Sequence, residues 1–496
     1  MNIAILSSAS AGGAGIAAYR IFEALSSTHQ NNIDFFDITA LGAVDQSISP
    51  QRSATNNRIT NTHFTFDYAT ESRQWVINLL SKYDVINIQW ASYLISTSEI
   101  LALAKLGKKI LFTLHDFYYI TGGCHYPAGC LGYLNGCHAC PQVDENICDQ
   151  STVQDSLIIK HTIFSHANVH LSAPSAFITE SAIRSEIVPR NRAHVLRNAY
   201  TPILNANTEK PENSYTLLLI ADTFDEERKG LALAVESIKN AASALCTNTR
   251  EFQLHLVGGL DVEVIKRLDN TGVKVISHGH IKQHEKLVDI FQQCQFVLSC
   301  SYEDNWPNIL VESASYGCIP IVGHWHGCEE FTSTFSTGVV ADNYSANSFA
   351  KAIVSAFSIS PDARKRIATR LTQEVRETHA YAQAAQAYES TFNEITDDGK
   401  DIQNKTSKDV SQLVSRNHLI TNIKLAYQHS KSKGEGSTCT IKSKATPFGS
   451  PEDDDFAEIT IGSLNDHTRE NNFQNEILRK TSTKGYGLKS YFITVK

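Results

Sequence analysis

Along most of the chain, short and nearly continuous apolar runs alternate with stretches whose apolar residues recur at helical spacing. In the first half the runs are Asn2 to Ser8, Ile33 to Asp37, Asp84 to Trp90, Lys108 to His115 and Asn168 to Ala173. In the second half they are Tyr215 to Ala221, Phe252 to Val257, Val273 to Ser277, Phe296 to Ser299, Ile319 to Val322 and Gly338 to Ala341. Such runs predict parallel strands buried on both faces. Helical periodicity predicts helices at Ile16 to Leu25, Gln74 to Lys82, the stretch PSAFITESAI, Ile309 to Tyr316 and a closing helix Gln383 to Ile395. Strands alternating with helices specify an α/β class with helices on both faces of a parallel sheet. The polar linker NANTEKPENS separates two such halves and predicts domains at 1–204 and 205–395. Past Asp397 the alternation stops, and runs such as DDGKD, KSKGEGS and SPEDDD are too polar to build a core. Residues 396–496 are expected to be a polar extension or a small appended module, with a helix at Leu419 to Tyr427 and a strand at Phe492 to Val495.

At 496 residues and 42% hydrophobic content the chain can fill more than one core. A net charge of -8 argues against nucleic acid as a partner. No run of eighteen apolar residues occurs, and MNIAILSSASAGG lacks a basic leader, so neither a spanning helix nor a signal peptide is expected. The expected location is cytoplasmic, with room for peripheral association at the inner face of the membrane. Most of the eleven cysteines are then expected to stay reduced. Four of them, Cys124, Cys130, Cys137 and Cys140, fall within seventeen residues, inside an insertion at 120–148, with His125 and His138 adjacent. Four soft ligands this close can close a tetrahedral shell around one structural zinc. They can equally remain reduced thiols in a loop, or form two disulfides in an oxidising compartment.

Candidate chemistry gathers at the carboxyl ends of the predicted strands, where open α/β sheets bind ligands. The glycine-rich turn SAGGAG, with Gly12 and Gly13, leads into a helix and can cradle a phosphate. His115 and Asp116 follow another strand. Arg228 and Lys229 precede a helix whose dipole opposes them, so their position calls for an anionic partner, naturally a diphosphate. The stretch Ser299 to Val322, SCSYEDNWPNILVESASYGCIPIV, runs strand, acidic turn, helix, strand, and places Glu303, Asp304, Asn305 and Glu312 beside the same expected anion. A polyhydroxylated ligand reconciles the two, because carboxylates accept hydrogen bonds from hydroxyls.

That last stretch resembles the donor-site signature of retaining glycosyltransferases of family 4 (group 1), an acid, seven residues, then Glu, within a form like ENxPNxxLEAxAxGxPVV. Asp304 and Glu312 fall at this spacing, Asn305, Pro307, Asn308 and Gly317 match, and Glu303 beside Asp304 leaves open which carboxylate leads. Pro320 comes one residue late. Gly12 and Gly13 match the family's GGAxxAAYRL loop, Lys229 and Gly230 its KG, without the usual upstream Arg, for which Arg228 is the candidate substitute. NIQWASYLIS and TLHDFYYITGGCHY resemble exopolysaccharide-type members, and VLRNAYTP resembles a hinge element that usually opens on Pro and carries an Asp.

The resemblance implies a GT-B architecture, two Rossmann-like domains across a cleft. It also implies transfer of a sugar from a nucleotide-sugar donor to a saccharide or lipid-linked acceptor in surface polysaccharide synthesis. Gly12, Gly13, Arg228, Lys229, Glu303, Asp304, Asn305 and Glu312 would then serve the donor, and His115 and Asp116 the acceptor side. His115, Asp304 and Lys229 would carry catalysis, and no cofactor is required for leaving-group departure. A sugar-nucleotide epimerase and a silent saccharide-binding protein on the same scaffold are the alternatives.

Overall fold

The computed structural model describes residues 1–44, 64–65, 72–143, 150–203, 210–212, 214–220, 227–245, 250–259, 261–402, 439–445, 456–461 and 488–495. In the first domain β1 (Asn2–Leu6), β2 (Asn32–Phe36), β3 (Val85–Ile88), β4 (Lys109–Thr113), β5 (Val169–Ala173) and β6 (Ala193–Val195) form one sheet in the order β2-β1-β3-β4-β5-β6. All its pairs are parallel. The second domain repeats the plan with β7 (Ser214–Ile220), β8 (Glu251–Val257), β9 (Val273–Ser277), β10 (Phe296–Ser299), β11 (Ile319–Gly323) and β12 (Val339–Ala341), in the order β12-β11-β10-β7-β8-β9, again all parallel.

Both sheets bury both faces, which explains the continuous apolar runs. In β1, Ala4 and Leu6 join one core while Ile3 and Ile5 join another on the opposite face, as the two-residue period of a strand requires. In the second sheet Leu217, Leu219, Phe296 and Leu298 face one core, and Leu218, Val297 and Val322 face the other.

The core around Ile3 and Ile5 is completed from the far end of the chain. The helix Tyr381–Ile402, longer than the Gln383 to Ile395 expected, lays Ala384, Ala385, Tyr388, Phe392 and Ile395 on the first domain's sheet, against Ile3, Ile5, Val85 and Leu111. Thr28 and Asn31 fix it further by donating to Glu389, at 2.7 and 3.2 Å.

Several elements lie beyond the sequence expectation. The edge strand β6 is only three residues long and sits in what the sequence marks as the approach to a hinge. The helix Thr97–Lys105 was legible in principle, because Ser96 and Glu99 form a reciprocal capping box. The helix Gln150–Ser165 has a weakly patterned face. The expected interdomain linker lies largely outside the described residues, as does the segment 221–226 after β7.

Residues Met1–Asp397 form one compact unit and Asp398–Lys496 a second. In the second unit β13 (Cys439–Ala445), β14 (Phe456–Ile461) and β15 (Leu488–Val495) make an antiparallel sheet in the order β14-β13-β15. The strand expected at Phe492 to Val495 lies within β15, and the helix expected at Leu419 to Tyr427 lies outside the described residues.

Candidate active site

Between the two domains of the first unit lies a cavity of about 640 Å³, within the size range of small-molecule sites. Its wall takes Gly12 and Gly13 after β1, His115 and Asp116 after β4, Ile220 at the end of β7 with Arg228 and Lys229 beyond it, and Ser299 to Ser301 with Asp304 and Asn305 after β10. These are strand carboxyl ends, and β7 and β10 are the neighbours at which the strand order of the second sheet reverses, the usual ligand crevice of an open α/β sheet.

On the first domain the helix Gly12–Ser27 begins at the cavity with no side-chain cap and no acidic residue in its first turn. Its leading N–H groups and dipole are therefore available to an anion. Gly12 has φ +73°, and a side chain at Gly12 or Gly13 would extend into open space, so glycine keeps the approach to the backbone clear. On the second domain the short turn Glu227–Lys229 is locked against β10. Tyr302 donates its backbone N–H to Arg228 O at 2.8 Å, and a Cβ on Gly230 would fall 2.1 Å from Cys300 O.

The polar groups are tightly engaged. Lys229 Nζ donates to Asp304 Oδ2 at 2.6 Å, and Arg228 Nη1 stands 3.7 Å from the same oxygen while donating to Glu303 O at 2.7 Å. Burial would raise the Asp304 carboxyl, but Lys229 and Arg228 overcome it and hold the group below the usual carboxylate range. Glu303 behaves oppositely. Burial pushes it up to about 7, only partly countered by the N–H it accepts from Ala128 at 2.9 Å and by Arg228.

Glu303 and Glu312 are not in the cavity wall. Glu312 pairs with Arg20 of the first domain at 2.7 Å, with side chains 11% and 16% exposed, a contact across 292 positions that no local pattern signals. Asn305 also spans the domains, donating to Leu114 O at 2.8 Å and accepting from Ser175 Oγ. Asn308 donates to Gly13 O at 2.9 Å. The signature loop thus belongs to the interdomain contact as much as to the cavity.

His115 and Asp116 share a strand end but differ in partners. Gln89 gives its amide N–H to Asn87 Oδ1 at 2.6 Å, which turns its oxygen to His115 Nε2 at 2.7 Å. Assigned from that network, Nε2 carries the proton and Nδ1 is an acceptor. Burial holds the imidazole down at about 4 despite neighbouring Asp116, so it is neutral near pH 7. Asp116 accepts from Tyr118 N at 2.9 Å, Trp90 Nε1 at 2.7 Å and His125 Nδ1 at 2.7 Å. Burial opposes its ionisation, yet His125 and these donors keep it lowered. Tyr118 stacks on His125 at 5.0 Å, and buried Lys160 lies 3.8 Å over the Tyr118 ring while donating to Tyr118 O and Thr121 O. Asp116 is thus committed to an internal network, whereas His115 offers an acceptor atom.

The four clustered cysteines are free thiols, Cys124 and Cys137 buried, Cys130 and Cys140 half-buried. Two accept backbone N–H bonds at 3.3 Å, Cys137 from Gly122 and Cys130 from Gly132. Among the described residues no three His, Cys, Asp or Glu side chains are gathered so as to hold a metal ion. Burial, with Cys137, Cys140 and Cys130 nearby, pushes the Cys124 thiol well up. Among the described residues no helix is long and apolar enough to cross a membrane.

Residues 203–373 match the family described as glycosyl transferases group 1. The putative colanic acid biosynthesis glycosyl transferase WcaC of Escherichia coli (strain K12) is 23% identical over 233 residues, 45% of this chain and 53% of that protein. The chain thus matches about half the length of this curated relative. Among solved structures, a glycosyltransferase from Rickettsia africae ESF-5 aligns with a TM-score of 0.54 at 14% identity, over 79% of this chain and 98% of that one. WaaG, a glycosyltransferase involved in lipopolysaccharide biosynthesis, gives 0.51 at 13% identity over 80% and 100%. Anabaena Alr3699/HepE in complex with UDP and glucose gives 0.50 at 13% identity over 79% and 100%. At these identities the structures share the GT-B fold with this chain.

Proposed function

We propose that this chain, which matches the group 1 glycosyl transferases over residues 203–373, is a member of that family and moves a sugar from a nucleotide-sugar donor to a saccharide or lipid-linked acceptor in surface polysaccharide synthesis. The observation that carries the proposal is one cavity wall holding the uncapped helix start at Gly12, the cation Lys229 beside Asp304, and the neutral His115.

A departing nucleoside diphosphate gains negative charge as the glycosidic bond breaks. Lys229 and the N–H groups at Gly12 and Gly13 are placed to stabilise it, and pre-aimed donors of this kind are a large source of rate enhancement. Asp304 orients Lys229 and is within the wall to accept from a sugar hydroxyl. His115 Nδ1 accepts from a hydroxyl of the donor sugar or the acceptor, which fixes the reacting carbon against its nucleophile. Glu312 serves the donor indirectly, through Arg20 and the interdomain contact. The anomeric configuration is retained, the acceptor attacking on the face the diphosphate leaves, with the leaving phosphate taking its proton. The described cavity contains no carboxylate besides Asp304 and Asp116 to act as a covalent nucleophile, and both are held by other groups.

The decisive assay supplies UDP-, GDP- and dTDP-sugars to the full chain, alone and with cell-envelope oligosaccharide or lipid acceptors, with mass spectrometry of the products. The Anabaena structure carrying UDP and glucose makes UDP-glucose the first donor to try. An acceptor extended by one sugar supports the proposal; a free, altered sugar without acceptor would establish an epimerase, and no turnover of any donor would leave a binding protein.

A further inference from the structure

The cysteine-rich insertion belongs to the first domain, yet it meets the donor side of the cleft at three successive points. The Tyr126 ring covers the guanidinium of Arg228, 3.9 Å from carbon to ring centroid. The Ala128 N–H donates to Glu303 Oε2 at 2.9 Å. Gly129, at φ +79°, lies so close to Tyr302 that an added Cβ would come within 3.4 Å of the phenol oxygen. The insertion is tied to its own domain by hydrogen bonds beside these contacts. His125, next to Tyr126, is held by Asp116 at 2.7 Å and Thr65 at 2.8 Å, and the Tyr126 carbonyl accepts from Gln142 at 2.9 Å.

Arg228 is only 6% exposed but lines the cavity with Tyr126, Lys229 and Asp304. In its own domain it donates to Glu303 O and stands 3.7 Å from Asp304 Oδ2, and the opposite domain covers its flat face. An arginine is a long side chain whose usefulness to a phosphate depends on the orientation of its planar fork, and an aromatic face packed against it fixes that plane.

We propose that Tyr126 is a positioning residue for the donor diphosphate, acting through Arg228, so that the cysteine-rich insertion of one domain completes the phosphate site of the other. The proposal rests on the glycosyltransferase reading above. It requires the ring of Tyr126 and not its hydroxyl, because the contact to Arg228 is made by the ring face. It also concerns donor binding more than acceptor binding, because Arg228 stands beside Lys229 and Asp304.

The test compares Tyr126→Ala, Tyr126→Leu and Tyr126→Phe in the full chain. UDP, GDP and dTDP are titrated calorimetrically against each, and KM is measured separately for donor and acceptor. Ala and Leu are expected to weaken nucleoside diphosphate binding and raise donor KM by about tenfold, with acceptor KM within about twofold of wild type, and Phe is expected to match wild type. Leu retains apolar bulk, so it keeps the test decisive should Ala fail to fold. Unchanged donor binding in Leu, a Phe variant as weak as Leu, or donor and acceptor KM rising together would overturn the proposal while leaving the transferase reading intact. A wild-type chain that binds none of the three nucleotides would overturn both.

Discussion

With its ammonium 2.6 Å from Asp304 and within the cavity wall, Lys229 is expected to serve bound and departing diphosphate alike. Lys229→Ala should therefore raise the donor Kd and lower kcat together, costing about 2 to 4 kcal/mol in the barrier, and steady-state kinetics with a nucleoside diphosphate titration checks it. Glu303 gives a pH-dependent prediction. Its folded value of about 7 lies above the ordinary 4.5, so the folded state binds the extra proton. Below about 4.5 both folded and unfolded carboxyls are protonated and no penalty exists; as pH rises to about 7 the penalty grows to its full size, about 3 kcal/mol at most. Glu303→Gln should then gain stability relative to wild type as pH rises through that window, measured by urea unfolding at a series of pH values. The placement of Asp304, Lys229, His115 and the glycine turn in one cavity wall was legible because each follows a strand in a recognisable spacing. The partners were not. Arg20 lies in the quoted AAYR run, yet its pairing with Glu312 spans 292 positions, and the contact of Tyr126 with Arg228 joins a ring of one domain to a cation of the other.

Single elements carry the junction between the domains. Glu330 of the second domain accepts from the first two N–H groups of the helix Ala176–Arg184, Ala176 at 2.8 Å and Phe177 at 2.9 Å, and from Arg197 at 2.8 Å. Arg197, which stands where the resembling hinge motif has Pro, also lies 3.8 Å over the Trp306 ring. An acid supplied in trans thus caps a helix, and caps are worth about 1 kcal/mol. Glu330→Ala is expected to cost about 1 to 2 kcal/mol and to enlarge the radius of gyration of the nucleotide-free chain in X-ray scattering, by loosening the closed cleft. The cysteine loop yields a second outcome at this scale. As free thiols, the half-buried Cys130 and Cys140 should be alkylated under native conditions ahead of buried Cys124 and Cys137, followed by peptide mass spectrometry. Joint protection of all four with one equivalent of zinc would instead establish the metal site that the spacing allows. The strands were legible because both their faces are buried; β6 was not, since three residues give too short a run to show a period.

At the scale of the whole molecule, the compact unit ends at Asp397, and the helix Tyr381–Ile402 runs on past Ile395, its last core residue among those described. A chain ending at Ile402 is expected to stay monodisperse in size-exclusion chromatography and to turn over donor at the full-length rate, because every cavity residue and the closing helix remain. The sequence showed this organisation through loss of alternation, but not the antiparallel sheet of the second unit, whose strands are separated by long polar stretches. The closing helix also governs how the molecule can be made. Ile3 and Ile5 leave the ribosome nearly four hundred residues before Tyr388, Phe392 and Ile395, which share their core. At about 5 to 20 residues per second, the part of the sheet face at Ile3 and Ile5 which Ile21, Ala24 and Leu25 of the first helix leave to the closing helix stays uncovered for tens of seconds after β6 is made. The first domain is thereby expected to finish folding only after the second has been synthesised.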